Sequence, residues 1–354
     1  MKHLIFCCLF LVIFCNSTVR AEAPDLSTRA LSLPPHRVIR ICCAFGTDLR
    51  LSIVPIWKYT AITSADKLGP HGYLGKAGEE NGIIYTRRGG FIDMGHLRDQ
   101  ADWTAYLFTR VLLAQKTGNL TIHLGHEGGN KFLKLTIPPD LSRDDAVMLA
   151  GRIAYDLSIW HEIATWYGCS SIPLVPERYS SFSVEDPYSN LLGVTIGMEA
   201  IRSKLPYETA MTKLIGSTLE TLHAVESENE TFMAMEAVRN IWWTRNKHLP
   251  SRKIMMERQM GVYNCVEPMR IPGPANNLLP SYDLQVPDLT SNGRSLYNFY
   301  ELDFKLNYKF PLKEIFTLKS NRNVTQADFK YFIANIEKDM EAEKLYSGVN
   351  KLQF

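Results

Sequence analysis

Ser142-Arg143-Asp144-Asp145-Ala146-Val147-Met148-Leu149-Ala150-Gly151-Arg152-Ile153-Ala154-Tyr155-Asp156-Leu157-Ser158-Ile159-Trp160-His161-Glu162-Ile163-Ala164-Thr165-Trp166-Tyr167-Gly168 is the stretch on which the fold turns. Ser142 is a good helix cap, and Asp144 and Asp145 in the first turn complement the positive end of the helix dipole. Ala146, Leu149, Ala150, Ile153, Leu157, Trp160 and Ala164 recur at helical spacing, and Gly168 supplies the stop. His161 falls beside Leu157 and Ala164 on that stripe and is expected to face inward. So long a helix, apolar along one face, predicts a helical centre.

Outward from it the pattern changes. Upstream, Leu120–Leu124 and Phe132–Ile137 flank the turn Gly128-Gly129-Asn130 and read as a hairpin. A helix is expected from about Gly95, with Leu97, Ala101, Ala105, Phe108, Val111 and Leu112 on one face. Residues 22–95 are rich in Pro, Gly and β-formers, and short strands are expected at Val38–Ile41, Leu51–Val54 and Ile83–Thr86. Downstream, helices are expected at 190–203, 207–225 and 230–246, with Trp242-Trp243, Met233 and Met235 in a helix interior. Beyond Pro250 a linker-like region leads to a strand within Tyr297–Phe310 and a final helix capped near Thr325 and ending around Leu345. The fold class is α+β, with a predominantly helical core, short N-terminal strands, a β-hairpin insertion, and a C-terminal strand plus helix. The division expected is a main domain over 22–260 and a C-terminal extension over 261–354.

Across 354 residues, 45% are apolar and 21% charged, which fits a folded globular chain and excludes a mainly disordered one. Lys and Arg total 39 against 37 Asp and Glu. That balance offers no basic face for nucleic acid. Residues 1–21 read as a secretory signal: Lys2, a run of twelve apolar or cysteine residues from Leu4 to Cys15, then Val19 and Ala21 at the small positions before cleavage. The run falls short of the roughly 20 residues that span a bilayer. No later stretch approaches that length, so no transmembrane span is expected after cleavage, and the expected destination is periplasmic or secreted. Cys42, Cys43, Cys169 and Cys265 would remain, an even number that reads as structural disulfides in an oxidising compartment.

The chemistry concentrates in two helices and a loop. His161-Glu162 is how zinc peptidases set a metal-binding imidazole beside a general-base carboxylate, but the second His of that motif, four residues on, is here Thr165. Other ligands must come from elsewhere. His96 and Asp99 lie three apart and share a helix face. His96, Asp99 and His161 are therefore the candidate metal ligands, with Glu162 as base and zinc the ion that two imidazoles and a carboxylate favour. Arg98 and Arg178 are the candidate cations for developing negative charge. Glu185 and Asp186, in Glu177–Asn190, are further candidate ligands; a plain turn before Pro187, with Ser189 capping the next helix, is the alternative there. Gly125-His126-Glu127-Gly128 reads as a hairpin tip without chemistry.

Cys42-Cys43-Ala44-Phe45-Gly46, Leu68-Gly69-Pro70-His71, Arg88 through Asp93, His96 through Asp102, and His161-Glu162 through Tyr167-Gly168 occur in that order. In this the chain resembles the bacterial exported family catalogued as domain of unknown function 4056. The resemblance runs from about Cys42 to Asn190, implies an exported bacterial protein, and brings no catalytic residue with it.

Three readings stand open from sequence. One is an exported metal-dependent hydrolase acting on a small-molecule, peptide or lipid-derived substrate. Another is a non-enzymatic envelope or secreted binding protein with a buried polar network. The last is a metal-free hydrolase or transferase using Glu162 and Asp99 as acid and base.

Overall fold

A computed structural model of the chain describes residues 34–35, 40, 45–47, 62–170, 177–244, 254–262, 264–273, 278–316 and 321–349. The segment 1–21 expected to be a signal, Cys42 and Cys43, the strand expected at Leu51–Val54 and all but Arg40 of Val38–Ile41 lie outside those residues.

Ile83–Thr86 (β1) pairs antiparallel with Gly90–Asp93 (β2), which runs directly into Met94–Thr117 (α1). The junction is local chemistry: Asp93 Oδ1 accepts hydrogen bonds from the amides of Gly95 at 2.7 Å and His96 at 3.2 Å, capping the helix. Asn119–His126 (β3) and Gly129–Thr136 (β4) form the expected hairpin. Arg143–Trp166 (α2) is the long helix, with Ser142 Oγ accepting from Asp145 N at 3.0 Å and Gly168 leaving it at φ 85°. Asp186–Arg202 (α3), Tyr207–Thr221 (α4) and Glu228–Ala237 (α5) follow.

The core is α1, α2 and α3, three helices buried on nearly every side. Glycine permits the α1–α3 approach. A Cβ on Gly193 would sit 2.1 Å from Leu97 O, and one on Gly197 2.9 Å from Ala101 Cα. Small residues at this spacing let α3 lie against the α1 backbone, and that contact brings Asp186, at the start of α3, to His96 near the start of α1.

Several expectations shift. The helix expected over 230–246 is the shorter α5; Asn240 takes a left-handed φ of 64° just beyond it. Trp243–Thr244 (β5) instead pairs with Ile254–Met255 (β6), and Trp243 Nε1 donates to Met235 O at 3.0 Å. Trp243 is therefore strand, not helix interior. Short strands Cys265–Val266 (β7) and Leu284–Gln285 (β8) also pair. Ser189 lies inside α3 rather than capping it, and its hydroxyl accepts from Asp93 N at 2.9 Å.

Tyr300–Leu306 (β9) alternates buried and less buried residues and joins β4 antiparallel, with Gly129 opposite Leu306 and Leu135 opposite Tyr300. After the four-residue helix Leu312–Ile315 (α6), Asn323–Thr325 (β10) completes a sheet of order β10-β9-β4-β3. Thr325 then caps the turn that leads into Phe329–Val349 (α7), the expected final helix. Trp160 of α2 ties sheet to helices, stacking on Phe304 at 4.0 Å between ring centroids. Cys169 and Cys265 are both free, half-buried thiols, so neither forms the disulfide expected of it. Among the described residues no helix is long and apolar enough to cross a membrane.

Candidate metal centre

His96 enters from the first turn of α1, and His161 and Glu162 from the last two turns of α2. One ligating atom from each of the three lies within 4.8 Å of the others. All three residues are only 4% exposed. Successive helix positions differ by about 100°, yet His161 and Glu162 of α2 each bring a ligand atom within reach of His96 on α1.

Each of the three is held from behind. His161 Nδ1 lies 2.5 Å from Glu127 Oε1, and Glu127 Oε2 lies 2.7 Å from Lys131 Nζ. His96 Nδ1 lies 3.0 Å from Asp186 Oδ1 and 3.7 Å from Asp93 Oδ2. Glu162 Oε2 accepts from the amide of Phe182 at 2.8 Å. A carboxylate beside the Nδ1 atom of each imidazole is a common companion of metal-ligating histidines. Buried Asp93, Glu162, Glu185 and Asp186 make the neighbourhood acidic. Arg258 bears on it: burial pushes this guanidinium down to about 10, against the raising influence of Glu343, Glu162 and Asp186.

The remaining candidates take other positions. Asp99 is outside the close group; its Oδ1 meets Arg40 Nη1 at 3.0 Å, in a buried network where the same nitrogen reaches Asp102 Oδ2 at 2.8 Å and Arg40 Nε reaches Glu79 Oε1 at 2.5 Å. Sharing a helix face with His96 is not enough when Arg40 draws the carboxylate to itself. Arg98 is fully buried, donates to Leu68 O at 2.8 Å and lies 3.4 Å from Glu79. Arg178 has a half-exposed side chain over the Trp166 ring and pairs with Glu343 at 3.1 Å. Glu185 accepts from Ser183 Oγ at 2.6 Å, while Asp186 stands behind His96 and accepts from Ser183 N at 3.0 Å. Thr165, in the place of the missing second histidine, shares a 2.8 Å hydrogen bond with Ser181 Oγ.

Glu127, Asp93, Arg258 and the Phe182 amide were not singled out from sequence. The pair His126-Glu127 was visible, but its tip position hid it. The tip folds back on α2, where Trp160 Nε1 donates to Glu127 O at 3.0 Å.

Every residue of this centre, from Asp93 to Arg258, falls within residues 30–272, the span matched by a family model described as protein of unknown function, DUF4056. The chain belongs to the DUF4056 family. The strands β9 and β10 and helix α7 lie beyond the matched span. No curated protein and no solved structure matches the chain.

Proposed function

We propose that His96, His161 and Glu162 hold a divalent ion, and that the chain is an exported metal-dependent hydrolase. The observation that carries this reading is the convergence of the three ligand atoms within 4.8 Å, with a carboxylate behind each imidazole. Two histidines and one glutamate are the donor set of catalytic zinc sites that keep a fourth position for water or substrate. Ligand softness favours zinc over magnesium or calcium, which take oxygen donors. A bound ion of this kind supplies Lewis acidity toward a carbonyl or phosphoryl oxygen and lowers the pKa of water.

The site alters the roles expected from sequence. Glu162 takes the ligand position assigned to Asp99, so it is no longer the proton acceptor of the proposal. Arg258, coupled to Glu162 and Asp186, replaces Arg98 and Arg178 as the cation of the site. Export rests on the signal-like residues 1–21.

The test is elemental analysis of residues 22–354 purified without a histidine tag, beside folded His96→Ala and His161→Ala variants. The reading expects about one ion per chain, lost in both variants. Folded wild type that takes up neither zinc nor manganese overturns it. One observation favours a second reading, a non-enzymatic protein in which the group is structural: all three residues are nearly sealed from solvent. A bound ion that chelators remove only on unfolding would favour that alternative.

A further inference from the structure

Glu127 reaches the centre from the tip of the β3–β4 hairpin, far in sequence from both ligand helices. Its two carboxylate oxygens do different things: Oε1 lies 2.5 Å from His161 Nδ1, and Oε2 lies 2.7 Å from Lys131 Nζ. Lys131 is itself buried, at 6% exposure. The backbone around Glu127 is clamped on several sides. Glu127 N donates to Gly129 O at 2.9 Å, its carbonyl accepts from Trp160 Nε1, and Asn307 N donates to Gly128 O at 2.8 Å. Gly129 has a φ of 145° and a Cβ there would lie 1.9 Å from Lys305 O, so the tip fits only as glycine. Such clamping is unusual for a hairpin tip, whose ordinary place is in solvent.

We propose that Glu127 is the positioning residue of the metal centre. It holds His161 as the tautomer with its proton on Nδ1, which leaves Nε2 as the ring's ligating atom. Lys131 Nζ, 2.7 Å from Oε2, engages the far oxygen of Glu127 while Oε1 meets the ring. The inference rests on the metal reading for its consequence, but the tautomer is a property of the protein without metal. The competing possibility is a plain Glu–His ion pair, in which the ring is doubly protonated and unable to ligate through Nε2 at neutral pH, or a neutral ring with its proton on Nε2.

The experiment is a long-range ¹H–¹⁵N spectrum of histidine-labelled, metal-free protein, taken well above the ordinary histidine pKa, with the His161 signals assigned from His161→Gln. Zinc affinity is measured on the same samples by competition with a chromogenic chelator. The expected wild-type spectrum shows the His161 proton on Nδ1. Glu127→Ala should lose that preference and weaken zinc binding by roughly 10–100-fold. Glu127→Gln, whose amide oxygen accepts the same hydrogen bond, should keep the tautomer. If Glu127→Ala does not fold, Lys131→Met, which releases the far oxygen of Glu127, provides the second variant and should weaken both the Nδ1 preference and the zinc affinity. A wild-type ring protonated on Nε2, or a folded Glu127→Ala with unchanged tautomer and zinc affinity, overturns the inference. Wild type that shows the Nδ1 tautomer and loses it in Glu127→Ala, yet takes up no zinc, sinks the metal reading and leaves the positioning role standing.

Discussion

Arg258 and Glu162 grip opposite ends of a single peptide group. Arg258 Nη1 donates to the carbonyl of Ser181, and the amide of Phe182, on the same peptide, donates to Glu162 Oε2 at 2.8 Å. Phe182 is fully buried with a left-handed φ of 54°, a conformation that costs a side-chain-bearing residue about 1–3 kcal/mol. Gln259 N, which donates to Phe182 O at 3.1 Å, helps hold it there. This peptide fixes Oε2 of Glu162 next to the two histidines. Arg258→Met should therefore weaken zinc binding by about tenfold, more than Arg258→Lys, which keeps a donor. Chelator competition on folded variants measures it; equal affinity in Arg258→Met and wild type counts against the role.

Gly193 carries the contact between α1 and α3. Since a Cβ there meets the Leu97 carbonyl at 2.1 Å, Gly193→Ala must push the helices apart. Overpacking of this kind costs about 1–3 kcal/mol or more. Urea denaturation reads the loss, and the same variant should weaken metal binding because Asp186 moves away from His96.

The Arg40 network makes stability fall in acid. Burial alone would raise the Asp102 pKa, but Arg40 and His71 outweigh it and hold the carboxyl below its ordinary range. Glu79, beside Arg40 and Arg98, is lowered in the same way against its own burial. A lowered folded pKa stabilises fully above the unfolded value, about 4 for these groups, and the contribution is lost as pH falls through the folded value. Denaturation midpoints should be insensitive to these groups down to about pH 5 and drop below about pH 4. Asp102→Asn should flatten part of that slope and, by leaving Arg40 short of a partner, cost about 3–5 kcal/mol at neutral pH.

Ser142 gives a smaller, cleaner test. Ser142→Ala removes the cap on α2 and should cost about 1 kcal/mol, read as a lower thermal midpoint with zinc affinity unchanged, because the ligands lie at the other end of the helix.

What was legible in the sequence follows from how local each signal is. Ser142 and Gly168 bound α2 through contacts within a few residues, so the helix and its inward His161 could be read directly. The β3–β4 hairpin was readable from its glycines and flanking alternation. Asp99 could not be placed, because its helix face is shared with His96 while its partner, Arg40, comes from a distant segment. Glu127 was hidden for the same reason: nothing near residue 127 reports that the tip will be folded against Trp160 and His161. Trp243 misled because apolar content alone does not separate a buried strand from a helix interior, and the partner strand β6 is not its neighbour in sequence.

The β4–β9 register also sets an order of assembly. Both helices that carry ligands, and Asp186, are complete by residue 202, but the hairpin tip is clamped by Leu306 opposite Gly129 and by Asn307. During synthesis, then, a nascent chain has its ligands long before it has the strand that steadies Glu127. On the proposed metal reading, chains cut short before Leu306 should hold an ion less tightly than chains that include β9.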